Sequence, residues 1–340
     1  MWAALFAEGS VFDASGAGAR WRPSTRAKLQ KQYGYWLFFI KETDVDLLKV
    51  PPTVRVTQAR VRTYYQSMSD KSPVTSSIRV NSLYRVLRRV ETDIDWRWLG
   101  DMTRALEKAV GRGGDRKKGR IVPSSVLYEA GIRLLEKARA APNISEFSQA
   151  TMHRDGLMLA LLASRPLRLK NFAAIQINTH LERRGDTCWI NFSGEETKTG
   201  RPIQTFVPEE LSPWLEQYLR VHRPVLLGNC AHHDLWINRF RRPFSQGALS
   251  GRISKLTEGL IGVRVNPHLF RDCAATTIAT ADPLHVGIIA PLLGNAPHTA
   301  ERHYNHARTL EAGRDHQRVI RTLRNELRPV RRRVRAKGRT

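Results

Sequence analysis

The stretch from Asn266 to His306, NPHLFRDCAATTIATADPLHVGIIAPLLGNAPHTAERHYNH, decides how the rest of the chain is read. Pro267 has no N–H to lose at the first turn of a helix, so a helix is expected to open there. His268 and Arg271, three positions apart, then share one face. An imidazole beside a guanidinium suits an anionic substrate. The small-residue segment that follows reads as helix and reaches Leu293-Gly294-Asn295. A second short helix is expected to deliver Tyr304.

Working outward toward the N-terminus, a helix over Gln246 to Leu260 leads into this stretch, and Leu211 to Val225 forms another. Thr187–Phe192 and Ile203–Val207 alternate apolar and polar residues and are β-prone. Between them lies the polar, glycine-flanked run Gly194-Glu195-Glu196-Thr197-Lys198-Thr199-Gly200, which predicts a hairpin with Lys198 at its tip. Upstream, Asp155 to Ala163 is strongly apolar and reads as a buried helix. It ends at Ser164-Arg165-Pro166, a turn that presents Leu167-Arg168 ahead of a new helix containing Asn171. A helix with Val126, Ile132, Leu134 and Leu135 as its apolar positions precedes it.

The charge balance narrows the partner. Fifty-six Lys and Arg against 31 Asp and Glu give a net charge of +25, and the pI is near 10.8. A surface that basic meets a polyanion, nucleic acid first, with a membrane surface or an acidic protein second. Hydrophobic content of 41% and 26% charged residues fit a soluble globular chain. No apolar run approaches the roughly 20 residues that span a bilayer. The start, MWAALFAEGSVF, lacks the basic region of a signal peptide. Cys188, Cys230 and Cys273 are odd in number and widely spaced, which fits free thiols in a reducing cytoplasm. His232-His233-Asp234 lacks further ligands at suitable spacing, so no metal site is expected there.

Residues 1–22 carry little periodicity and read as an irregular arm. Four amphipathic helices follow in 23–111. The first opens near Pro23 with Ser24 or Thr25 as cap and Leu29, Tyr33, Trp36, Leu37 and Ile40 inward. The second starts at Pro51-Pro52 with Val54, Val61, Tyr64, Tyr65 and Met68. The third follows Ser72-Pro73 with Ile78, Leu83, Val86, Leu87 and Val90, and the fourth spans Trp96 to Val110. Arg79, Arg85, Arg88 and Arg89 of the third are either a solvated face or phosphate contacts. Residues 112–122 are rich in glycine and positive charge and read as a linker. A polar helix is expected after Tyr304, to about Leu327. The tail, 328–340, carries seven Lys or Arg and no acid, a run that attracts phosphate nonspecifically.

The ordered set Arg168, Lys198, His268, Arg271, Leu293-Gly294-Asn295 and Tyr304 resembles the tyrosine recombinase (phage integrase) family. Asn295 stands where that family usually carries His or Trp, and Asn171 where it often carries an acid. The resemblance implies a mainly α fold with a small antiparallel β-sheet: a helical core-binding domain over 23–111 and an α+β integrase-like catalytic domain over 123–327. It implies Tyr304 as nucleophile, Arg168 and Arg271 on the phosphate, Lys198 as general acid and His268 as base or proton shuttle. Asn295 can donate one hydrogen bond to phosphate. It further implies double-stranded DNA as partner, a tetramer on DNA, no cofactor, no metal and no ATP, and work in the cytoplasm at the nucleoid. The function so implied is site-specific DNA recombination or integration for a mobile element or chromosomal site. Two alternatives share these residues: a DNA-binding accessory protein of the same fold that has lost strand cleavage, favoured by Asn295 and Asn171, and a type IB topoisomerase.

Overall fold

The computed structural model describes residues 1–10, 14–111, 117, 119–141, 143–294 and 317–324. Asn295, Tyr304, the 328–340 tail and most of the basic linker lie outside the described residues. The chain divides into two compact units, Met1–Arg116 and Lys117–Thr340.

The first unit is helical: α1 (Trp2–Phe6), α2 (Pro23–Thr43), α3 (Pro52–Arg55), α4 (Gln58–Gln66), α5 (Pro73–Val90) and α6 (Arg97–Val110). Its core joins Leu29, Tyr33, Trp36 and Ile40 of α2 to Val80, Leu83, Val86 and Leu87 of α5. Ser72 caps α5, its hydroxyl accepting from the Thr75 N–H at 3.2 Å.

Four details depart from expectation. The N-terminal arm contains α1, held by Trp2 packing edge-on against Tyr33 at 5.7 Å. Proline takes the first position of α2, so Arg22 is its N-cap and Ser24 and Thr25 fall inside the first turn. The second expected helix is broken at Val56, which is extended. Thr57 then recaps the chain as α4, accepting from the Arg60 N–H at 3.3 Å, and leaves Val54 exposed. Ile78 also faces outward, because Val80 and Leu83 continue the buried stripe in its place.

The second unit contains α7 (Ser124–Ala140), α8 (Glu146–Ser164), α9 (Leu169–Ala173), α10 (Ser212–Gln217), α11 (Arg223–Leu227), α12 (Gln246–Ile261), α13 (Pro267–Ala281), α14 (Ile289–Leu293) and a three-stranded sheet. Helix α8 is buried on every side from His153 to Ala163, as an apolar run without periodicity requires. It packs antiparallel on α7 at a glycine crossing, where a Cβ on Gly131 would lie 2.6 Å from the Ala160 nitrogen and one on Gly156 2.8 Å from the Gly131 oxygen. This crossing sets the buried face of α7 as Leu127, Ala130, Gly131, Leu135 and Ala138. Val126, expected inside, is exposed.

The sheet runs β1 (Leu181–Arg184), β2 (Thr187–Phe192), β3 (Ile203–Phe206), antiparallel throughout. Leu181 pairs with Ile190, and Trp189 pairs with Phe206. Cys188, Ile190 and Phe192 alternate into the core. Strand β1 was not expected, since Leu181 is its only apolar residue. The helix expected over Leu211–Val225 exists but contains a π turn, Tyr218–His222. Pro224 cannot donate to the α ladder, and the wider turn accommodates it. That turn sets His222 against His153 of α8, with ring centroids 4.2 Å apart. No helix among the described residues is long and apolar enough to cross a membrane.

Candidate active site

Three sequence-distant pieces build the site. Arg168 is the N-cap residue of α9, in the turn at which the buried α8 gives way to a new helix. Arg271 lies in the second turn of α13, whose start is fixed by Pro267 and by the Asn266 side chain, which accepts from the Leu269 N–H at 3.1 Å. The third piece is the end of α14. Arg271 Nη2 donates to the Leu293 carbonyl, and Arg168 Nη2 donates to the next carbonyl, Gly294, at 2.8 Å. Arg271 Nη1 also donates to the Pro166 carbonyl at 2.7 Å, closing the set onto the α8–α9 turn. Gly294 has φ +55, a left-handed cap that glycine adopts without steric cost.

The two guanidinium groups line one cavity of about 340 Å³, together with Thr199, Arg201 and the Leu293-Gly294 turn. Burial lowers the Arg271 pKa to about 10, with the Arg168 charge adding and Asp272 opposing. Burial lowers Arg168 as well. Two cations sharing a partly desolvated cavity favour an anion that can accept from both.

His268 sits one turn before Arg271, at the surface yet crowded by neighbouring protein. Desolvation lowers its pKa; Lys117, Arg271 and Lys198 add to the effect and Asp272 opposes it. Lys198 is exposed in the β2–β3 loop, and its charge reaches His268 because the loop is pinned from both sides. Thr197 Oγ1 donates to the carbonyls of Gly194 at 3.0 Å and Arg201 at 2.8 Å. Glu196 accepts from the Ser193 N–H at 2.9 Å and contacts His180 Nε2 at 2.7 Å. The His180 contact, followed by the Ser193 N–H, pulls the Glu196 pKa down to about 2. Lys170 of α9 donates to the Glu196 carbonyl at 3.1 Å.

Arg168, Lys198, His268 and Arg271 are thus gathered in one region of the second unit. Asn295 and Tyr304 lie outside the described residues, although Asn295 directly follows the Gly294 turn. Asn171 is buried with its side-chain oxygen unpaired. Two contributors stand outside the candidate site residues of the sequence. Asp272, directly after Arg271, is buried and pairs with Lys117 Nζ at 2.8 Å. Lys117 belongs to a segment laid along α13: Arg120 donates to the Arg264 carbonyl, and the Ser124 N–H to Thr277 Oγ1 at 2.9 Å. The adjacency of Asp272 to Arg271 was the available signal; nothing in the sequence marked Lys117 apart from its charged neighbours.

The arginines of α5 are largely stacked on aromatic rings. Arg79 lies 4.0 Å from the Tyr35 ring centroid, Arg88 5.2 Å from Tyr84 and Arg89 4.9 Å from Trp21. Their stems therefore contribute packing in the first unit as well as charge. His232 Nδ1 lies 3.1 Å from Asp234 Oδ2, and no group of three metal-binding side chains occurs among the described residues.

Two solved structures with this arrangement of elements are of one enzyme. The chain is similar in fold to the XerH site-specific recombinase. In the pre-cleavage complex with difH substrate the TM-score is 0.54 at 13% identity, covering 88% of this chain and 80% of that one. In the post-cleavage complex with palindromic difH it is 0.55 at 14% identity, with the same coverage. The Tn1549 transposon integrase bound to transposon right-end DNA scores 0.47 at 12% identity, covering 86% of this chain and 92% of that one. No family model and no curated protein matches the sequence.

Proposed function

We propose that this protein is a tyrosine recombinase that cuts and rejoins double-stranded DNA at a specific site through a 3′-phosphotyrosine intermediate. The observation that carries the reading is the pairing of Arg168 and Arg271 on the adjacent carbonyls of Leu293 and Gly294. It leaves both guanidinium groups lining one cavity. The fold shared with the XerH recombinase and the net charge of +25 support it.

In this reading Tyr304 Oη attacks the phosphorus and the phosphotyrosine bond forms as the bond to the 5′-oxygen breaks. The phenol proton passes to His268, and Lys198 protonates the departing 5′-oxygen. Arg168 and Arg271 hold the non-bridging oxygens, where charge grows in the transition state, so losing either costs on the order of 10²-fold. Asn295 donates a hydrogen bond to the phosphate without moving a proton. The reverse reaction, with a different 5′-hydroxyl as nucleophile, rejoins the strand with no ATP, since the phosphodiester energy is kept. The domain plan is a core-binding domain over 23–111, a basic linker over 112–122, a catalytic domain over 123–327 and a phosphate-attracting tail over 328–340. Val319, Ile320 and Leu323 are exposed on the 317–324 helix, which supports docking on a neighbouring copy in a tetramer on DNA.

The test begins with duplexes selected by the protein from a random-sequence pool, nicked so that cleavage traps the intermediate. A denaturing gel is expected to show a covalent protein–DNA adduct that is lost in Tyr304→Phe and kept in Cys273→Ala. Binding without any adduct would instead identify a DNA-binding accessory protein. Supercoil relaxation without a preferred sequence would identify a topoisomerase.

A further inference from the structure

Lys117 and Arg271 stand beside one buried carboxylate. Asp272 follows Arg271 directly, is 9% exposed and belongs to the same helix turn as His268. A buried carboxylate beside an anion site has two costs. It repels the arriving phosphate, and it attracts the guanidinium needed for that phosphate. The structure meets it with Lys117 Nζ, 2.8 Å from Asp272 Oδ2, the side chain of Lys117 being 37% exposed. The lysine is held there by more than its own charge. The segment that carries it is fixed to α13 and the loop before it by Arg120 on the Arg264 carbonyl at 2.7 Å, the Val122 N–H on Cys273 Sγ at 3.5 Å and the Ser124 N–H on Thr277 Oγ1 at 2.9 Å.

We infer that Lys117 is a positioning residue for His268 and Arg271, neutralising Asp272 beside the anion cavity and bracing the helix turn that carries both, a role that rests on the strand-cleavage reading above. Lys117 acts through Asp272 and touches neither the reacting phosphorus nor the leaving oxygen. The groups that bear on His268 are Asp272 and Arg271 from its own helix, Lys117 from the fixed segment and Lys198 from the β2–β3 loop. Of these, Asp272 alone favours the protonated ring. Removing Lys117 therefore takes away the cation 2.8 Å from that carboxylate, and His268 gains its proton more readily. A base that must be neutral to accept the tyrosine proton would then work only at higher pH.

The test uses the full chain in four forms: wild type, Lys117→Met, Lys117→Arg and Asp272→Asn. Histidine-labelled protein is titrated by NMR without DNA, with the His268 signal assigned by its loss in His268→Gln. Lys117→Met is expected to move the His268 titration to higher pH, Lys117→Arg to leave it in place, and Asp272→Asn to move it lower. On the pool-selected nicked duplex, Lys117→Met is expected to slow adduct formation about tenfold near the acid end of the profile. The rate recovers as pH rises, and Lys117→Arg restores it throughout. A uniform loss at every pH would mark Lys117 as a plain DNA contact and overturn the positioning role. An unchanged His268 titration alongside an active wild type would overturn it too. If wild type forms no adduct on DNA it binds, strand cleavage itself fails and the catalytic role falls with it, while the titration still decides the Lys117–Asp272–His268 linkage.

Discussion

Arg271 and Arg168 donate to neighbouring carbonyls, those of Leu293 and Gly294, so two guanidinium groups from distant parts of the sequence meet at one turn of backbone. The turn depends on Gly294, whose φ of +55 is left-handed. A Cβ there costs roughly 1–2 kcal/mol and shifts the carbonyls that orient both arginines. Gly294→Ala is expected to lower stability by about that much, measured by denaturant unfolding. Adduct formation should fall further than this loss of folded protein explains.

The α7–α8 crossing offers a test of packing. A Cβ on Gly156 would meet the Gly131 oxygen at 2.8 Å and the Leu135 nitrogen at 2.9 Å. Both are backbone atoms that cannot swing aside. Gly156→Ala is expected to destabilise the second unit by about 1–3 kcal/mol, read as a lower midpoint in urea. Gly259→Ala, with open space around it, should be neutral or slightly stabilising.

The contact between His153 and His222 predicts a pH-dependent stability. Burial lowers the His153 pKa from 6.5 to about 4, partly offset by its bond to the Trp214 carbonyl, with His222 adding to the fall. The unfolded chain therefore binds the proton more tightly. The contribution is full above pH 6.5 and shrinks as pH falls toward 4, by on the order of 3 kcal/mol. Unfolding curves between pH 7 and 4 should show this loss in wild type. In His153→Gln the slope over the same window should be reduced, the variant also serving to subtract the carboxylate titrations common to both.

Removing 328–340 takes away seven cations. Affinity should fall by a similar factor on every duplex, and the salt dependence should flatten, because fewer counterions are released on binding. Fluorescence anisotropy at several salt concentrations checks both. An unchanged salt slope would remove the tail from the DNA-binding surface.

Much of this architecture was legible in the sequence because its signals are local. Pro267 and Asn266 fix the start of α13, which places His268 and Arg271 on one face. The unbroken apolar run of α8 required burial on all sides, and the strands flanking Lys198 alternate. What was missed depends on contacts between distant segments. Strand β1 has one apolar residue and exists because β2 is there to pair with it. Helix α1 is five residues long and is held by aromatic contacts from α2 and its approach. Lys117 could not be told from the basic residues around it, since only the fold brings Asp272 to it. The Leu293-Gly294 pair was recognised as a motif, but its use of two carbonyls to orient two arginines is a property of the folded backbone.

The most direct test of two guanidinium groups acting on one phosphate is to remove the charge from that phosphate. On the pool-selected duplex, Arg168→Ala is compared with wild type using an ordinary phosphodiester at the cleaved position and, separately, a methylphosphonate there. With the ordinary linkage the variant should form adduct on the order of 10²-fold more slowly. With the uncharged linkage, which has no negative oxygen pair to neutralise, the deficit should shrink to less than about tenfold. An equal deficit on both substrates would show that Arg168 supports the fold or binds DNA elsewhere and does not stabilise the reacting phosphate.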